Sequence, residues 1–221
     1  MKFSVVTIFP EMIRSFAAFG LLAKAVENGL IAIDVYDLRD FAHNKHRKVD
    51  DRPFGGGPGM VMMPEPLAEA VDHIRNRQGG RVILFSAYGR PLSQDRVRSL
   101  AATEHLILLC GRYEGVDQRF IDGVVDEEIS LGEYVLMGGE VAAEALIEAV
   151  SRMIGGVVGN PESIAGDSFY FPEQFAFPQY TQPRTWRGLE VPDVLRSGNH
   201  RQINAWRKHS QKRRKDDATD R

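Results

Sequence analysis

One cysteine, Cys110, stands in a chain of 221 residues, so no intrachain disulfide can form and no cysteine cluster can hold zinc. Long apolar runs are missing too: nothing approaches the roughly 18 uninterrupted apolar residues of a membrane-spanning helix. The opening MKFSVVTIFPEMIRSF has a short apolar stretch followed by Pro-Glu, without the long apolar region and small-residue cleavage site of a signal peptide. A surplus of one charge sign is equally absent. With 28 lysines and arginines against 30 aspartates and glutamates, composition hides any local patch and does not announce nucleic acid. The turn after the first candidate strand, FPEM, has none of the glycines of a dinucleotide fingerprint, and GGGPGM lacks the Gly-Lys-Ser/Thr of a phosphate-binding loop. These absences predict a soluble, cytoplasmic protein with no recognisable handle for hydride transfer or nucleotide hydrolysis.

What is present is an alternation of two patterns. FSVVTIF (3–9), IAIDVYDL (31–38), RVILFS (81–86), EHLILLCG (104–111) and GVVDEEIS (123–130) read as strands. Helices are predicted from Pro10 to Val26, weakened in the middle by Gly20, then over 64–77, near 92–102, and from Glu140 to Ile154. In the last of these Val141, Ala145, Leu146, Ala149, Val150 and Ile154 recur at helical spacing, with Glu144 and Glu148 on a more polar side. Such alternation predicts an α/β fold with a mostly parallel sheet. Between Gly155 and Pro183 periodicity stops and Gly and Pro accumulate, the mark of a linker or functional loop. The chain closes in a helical and then strongly basic stretch containing KRRK (212–215).

Three glycine-bearing turns follow candidate strands: SAYGR (86–90), CGRYEGVD (110–117) and LGEYVLMGGE (131–140). Ligands of open parallel sheets sit at the C-terminal ends of strands, where glycine lets backbone approach them. Any one such turn simply ends a strand or caps a helix. Three together, carrying Tyr113, Glu114, Glu133 and Tyr134, point to a pocket for a neutral or cationic ligand rather than a triphosphate. The loop over 39–60 places Arg39, His43, Lys45, His46, Arg47, Lys48 and Arg52 beside GGGPG. It is either a solvated surface loop or one that follows a phosphate backbone, with Phe54 stacking on a base. His43 and His46 lack a third ligand nearby and make a weak metal site.

With FPEM, VDDRPFGGGPGM, GRYEG, LGEYVLMGGE and VPDVLRSGNH in the same order and spacing, the chain resembles bacterial tRNA (guanine-N1)-methyltransferases over residues 1 to about 208. These SPOUT-class enzymes methylate the guanine at tRNA position 37. The resemblance implies an S-adenosylmethionine domain over 1–160 tied in a deep trefoil knot, a linker and active-site loop over 161–183, and a small helical tRNA-binding domain with a basic tail over 184–221. It implies a cofactor site at Leu84, Phe85, Ser86, Ala87 and Tyr88, at Gly111, Tyr113, Glu114 and Gly115, and at Leu131, Gly132, Tyr134, Leu136, Gly138 and Gly139. Asp167, in GDSF, matches the general base and Arg152, in SRMIGG, its electrostatic partner. Asp50, Gly55, Gly57 and Gly59, with Ser197, Asn199, His200 and Arg201, match substrate-binding positions. The resemblance further implies a homodimer with active sites at the subunit interface, a tRNA substrate with guanine at positions 36 and 37, and dependence on Mg²⁺. Glu114 is the first candidate for holding that ion.

The sequence departs from the family pattern at Ala87-Tyr88, where Pro-Gln is usual, and at Gln179 and Gln182, where histidine and arginine are usual. Two other functions compete: an RNA binder that keeps the fold without catalysis, and a knotted methyltransferase acting on ribose or rRNA. Asp167, Arg152 and the three turns argue against the first, the GGGPG loop and SGNH against the second.

Overall fold

The computed structural model describes residues 1–160, 164, 166–171 and 174–211. Among these, contacts divide the chain into two compact units, Met1–Gly159 and Asn160–Arg221. The basic run 212–215 lies outside the described residues.

The first unit is built on a five-stranded sheet with every neighbour parallel. Its strands are β1 (Lys2–Thr7), β2 (Ala32–Asp37), β5 (Arg81–Pro91), β6 (His105–Leu109) and β7 (Glu127–Ser130), in the order β2-β1-β6-β5-β7. The central strand β6 is buried along its whole length, which its unbroken apolar run foretold. Strand alternation then feeds two cores. Phe3, Val5, Ile83, Leu106 and Leu108 pack on one face with Ile13, Val97, Leu146 and Val150. Val6, Val82, Leu84, Ile107 and Leu109 pack on the other with Leu67, Val71, Ile74 and Phe120. Helices α1 (Pro10–Ala17), α2 (Gly20–Glu27), α4 (Gln94–Ala101) and α6 (Glu140–Ser151) supply the first face; α3 (Pro64–Gln78) and α5 (Gln118–Val124) supply the second.

Three expectations need correction. The helix predicted over 10–26 is two helices, because Gly20, the first residue of the second, sits at φ +66, a left-handed conformation through which no right-handed helix can run on. The strand predicted over 123–130 begins only at Glu127. Ahead of it Asp117 accepts a hydrogen bond from the Arg119 amide (3.0 Å) and starts a helix that uses Gly123 and Val124. In α6, Val141 and Ala145 face solvent, while Ala142, Ala143, Leu146, Ile147 and Val150 form the buried stripe. Both stripes fit a 3.6-residue period, so spacing alone could not choose between them. The helix also stops at Ser151 rather than at Ile154.

Strand β5 has an interruption that matters for the site. Phe85 and Arg90 both pair with Ile129 of β7, so Ser86, Ala87, Tyr88 and Gly89 loop out between them. Gly89 makes this possible: a Cβ there would stand 2.5 Å from the backbone of Ile129. In the loop over 39–60, β3 (Asp50–Asp51) and β4 (Val61–Met62) pair antiparallel and present GGGPG at the tip, with Phe54 99% exposed.

The second unit holds an antiparallel hairpin, β8 (Thr185–Trp186) and β9 (Leu189–Glu190), then α7 (Asp193–Arg196) and α8 (His200–Ser210).

Candidate active site

The C-terminal ends of β5, β6 and β7 surround a cavity of about 620 Å³, within the range of small-ligand sites. Its walls are the β5 bulge, the turn Gly111–Gly115 and the turn Leu131–Gly139. Leu84, Phe85, Ser86, Ala87, Tyr88, Gly111, Tyr113, Glu114, Gly115, Leu131, Gly132, Tyr134, Leu136, Gly138 and Gly139 all line it, so the structure brings together the whole set expected at a cofactor site.

Glycines are placed there by close approach. The Gly139 amide donates to the Gly111 carbonyl (2.9 Å), and a Cβ on Gly139 would lie 2.7 Å from Cys110 Cα. A Cβ on Gly138 would strike the Arg112 side chain at 2.0 Å. Arg112 was not anticipated as a site residue. It spans the gap between the two turns, with Nε (2.8 Å) and Nη2 (2.7 Å) donating to Glu140 Oε2. Glu140 is wholly buried and its Oε1 accepts from the Thr7 hydroxyl (2.7 Å). One carboxylate therefore ties the end of β1, the turn after β6 and the start of α6. An arginine inside one glycine turn and a glutamate directly after another was the available signal; Val116, Glu128 and Ala142, which also line the cavity, gave none.

Tyr113 sits at φ +62, uncommon for a residue with a side chain and typical of strained functional turns. Burial, and then the neighbouring Asp50 carboxylate, push its phenol above the ordinary value. Burial likewise raises the Cys110 thiol well above its usual range, which keeps that sulfur an un-ionised core group. Strand β4 packs against the same turn: the Glu114 amide donates to the Met60 carbonyl (2.9 Å) and the Met62 amide to the Gly115 carbonyl (2.9 Å). The GGGPG hairpin is thus joined to the cavity. A Cβ on Gly59 would meet Glu114 Cγ at 2.4 Å, whereas Gly55 and Gly57, at φ +85 and +121, have open space around them.

The basic side chains of that loop largely have partners. Arg47 pairs with Asp40, Lys48 with Asp51 (3.1 Å), His43 with Glu69 (2.5 Å) and Arg39 with the Ile8 carbonyl (2.5 Å). No group of three metal-ligating side chains occurs among the described residues, so neither His43 and His46 nor Glu114 belongs to a protein-only metal cage.

Arg152 caps the C-terminus of α6 in the first unit and is exposed; Asp167 lies in the second, its amide donating to the Ile164 carbonyl (3.2 Å). In the SGNH stretch, Ser197 Oγ donates to the Val194 carbonyl (2.8 Å) and Asn199 Oδ1 accepts from the Gln202 amide (3.2 Å). Both polar atoms thus close helix ends, while His200 and Arg201 stand exposed on the first turn of α8.

Comparison with known proteins decides the family. Residues 1–220 match the family described as tRNA (Guanine-1)-methyltransferase TrmD. The chain belongs to that family. Its relatives include the tRNA (guanine-N(1)-)-methyltransferase of Sodalis glossinidius, 50% identical over 209 residues that cover 94% of this chain and 83% of that protein. The corresponding Photorhabdus laumondii protein is 49% identical with the same coverage. Among solved structures, a tRNA (m1G37) methyltransferase from Aquifex aeolicus superposes with a TM-score of 0.79 at 40% identity, over 93% of this chain and 87% of that one. The methyltransferase family and the cavity at the strand ends therefore come together on one chain.

Proposed function

We propose that this protein transfers a methyl group from S-adenosylmethionine to N1 of the guanine at tRNA position 37. The observation that carries the reading is the convergence of three glycine turns on one cavity in a chain of this family. The cavity suits the cofactor. Its size fits a nucleoside-bearing ligand, its glycines open backbone to contact, and Glu114 and Glu128 on its wall favour a cationic sulfonium over an anion. S-adenosylmethionine supplies an electrophilic methyl.

The rest falls to the chain. Guanine N1 carries a proton at neutral pH and is a poor nucleophile until that proton leaves. Asp167 accepts it as general base. Arg152 stabilises the negative charge that develops toward O6. Asp167 stands in an irregular loop, the type of segment that orders over a substrate and completes a site. A single in-line displacement leaves the protein mainly the tasks of positioning and charge placement. Asp50 and the GGGPG hairpin, together with His200 and Arg201, contact the RNA. Ser197 and Asn199 contribute by fixing the backbone of that helix end.

The reading includes a homodimer with active sites at the subunit interface, a trefoil knot around the cavity, a helical tRNA-binding C-terminal domain and residence in the cytoplasm. No described helix is long and apolar enough to cross a membrane. For Mg²⁺ the cavity wall offers Glu114, with Glu128 also on it, but among the described residues no group of three metal-ligating side chains completes a site, and no step above runs through a metal.

The test is transfer of labelled methyl to unmodified tRNA transcripts bearing guanine or adenine at position 37 and guanine at 36. Label is expected on the guanine transcript only. Asp167→Asn should lower the rate by about 10²–10⁴ while cofactor binding persists. Intact cofactor binding without label would rule out this substrate.

A further inference from the structure

Beside the cofactor cavity lies a second one, of about 480 Å³, and Tyr88 borders both. The β5 bulge lifts Tyr88 to 96% exposure, and its backbone amide is tied to Ser86 Oγ (3.1 Å). Beyond Gly89, which lies flat on β7, Arg90 is exposed and makes no ion pair among the described residues. Arg81 and Arg96 converge on the same groove and share one carboxylate, Glu127. Asp126 is engaged by Arg75 (2.5 Å), which does not line the groove, so the groove's three arginines, Arg81, Arg90 and Arg96, are left with two carboxylates, Glu127 and Glu128. Arg96 Nε is buried without a hydrogen-bond partner. Burial, and then the charges of Arg81 and Arg90, depress the Arg96 guanidinium below its ordinary value. Crowded cations lining a groove are relieved by an anion, and an exposed ring next to them offers a stacking platform.

We propose that this groove is an RNA subsite that takes a nucleotide flanking the target guanine, with its base stacked on Tyr88 and its phosphate on Arg90 backed by Arg81 and Arg96. The proposal rests on the reading of the protein as a tRNA methyltransferase. It gives a role to Tyr88, where this chain departs from its family's pattern.

The test measures binding of an unmodified tRNA transcript by fluorescence anisotropy over a range of salt, and cofactor binding by calorimetry without RNA. Tyr88→Leu and Arg90→Ala should each weaken RNA binding about 5- to 20-fold, and Tyr88→Trp should retain it. Arg90→Ala should also lower the salt slope by about one counterion and leave cofactor affinity at the wild-type value. RNA affinity unchanged in both single variants overturns the subsite. So does a Tyr88→Leu variant that loses cofactor affinity alone, which would give the ring to the cofactor. Because the readout is binding, a wild-type protein that binds the transcript without methylating it breaks the reaction assignment and leaves the subsite to be judged separately.

Discussion

Glu140 shows how much one side chain can organise. A buried ion pair gains Coulomb energy but loses hydration on both partners, and an apolar pair of similar volume is often as stable. What the Glu140–Arg112 pair adds is geometry: the fork of Arg112 has one orientation relative to the carboxylate, and Thr7 fixes the carboxylate from the other side. Glu140→Ala leaves the largely buried Arg112 charge without its carboxylate, with only the Met137 carbonyl and the Phe9 ring beside it, and should cost about 3–5 kcal/mol in urea denaturation. Thr7→Val removes the charge-assisted hydrogen bond to Glu140 and the acceptor of the Phe9 amide (2.9 Å), and should cost about 1.5–3 kcal/mol. Cofactor affinity, measured by calorimetry in the folded range, should fall much further in the first variant than in the second. Equal affinities would show that the pair does not hold the cavity turns.

At the scale of elements, the contrast between two glycines tests whether the turns are built by close approach. Gly139 faces backbone at 2.7 Å, which cannot yield as a flexible side chain does, so Gly139→Ala should displace the turn and weaken cofactor binding more than tenfold. Gly123, inside α5, has nothing within 4 Å, and Gly123→Ala should leave binding alone and stabilise the helix by up to about 1 kcal/mol. Calorimetry and urea denaturation on the two variants check both outcomes. The strands β1, β5 and β6 were legible because buried parallel strands are written as short apolar runs, as in HLILL, and the edge strand β2 because IAIDVYDL alternates. The three site turns were legible for a related reason, since glycines at strand ends mark places where backbone must come close. The exposed and buried stripes of α6 were not, because Val141 and Leu146 carry the same periodic signal and only the packed sheet chooses between them. The docking of β4 on the Glu114 turn was also invisible, because it is made of backbone hydrogen bonds between segments some 50 residues apart.

For the whole molecule, the exposed half of α6 bears on assembly. Arg112 lies 4.6 Å over the Phe9 ring and 4.0 Å from Met12 Sδ, and Phe9, Met12 and, on α6, Val141 are all exposed, so apolar side chains stand open on the first unit. Exposed apolar patches of this sort mark interaction sites. In the proposed homodimer this surface meets a second copy, and Val141→Asp should shift the sedimentation profile from dimer to monomer and abolish methyl transfer together. A monomeric variant with full activity would separate assembly from catalysis. The β5 bulge has a different bearing at this scale. Because Phe85 and Arg90 oppose the same residue of β7, the strand resumes where it stopped, and the four residues between them contribute nothing to sheet register. This wall of the cavity is therefore an exchangeable cassette: Ser86, Ala87 and Tyr88 can be rewritten with the sheet beneath them untouched, as long as position 89 stays glycine.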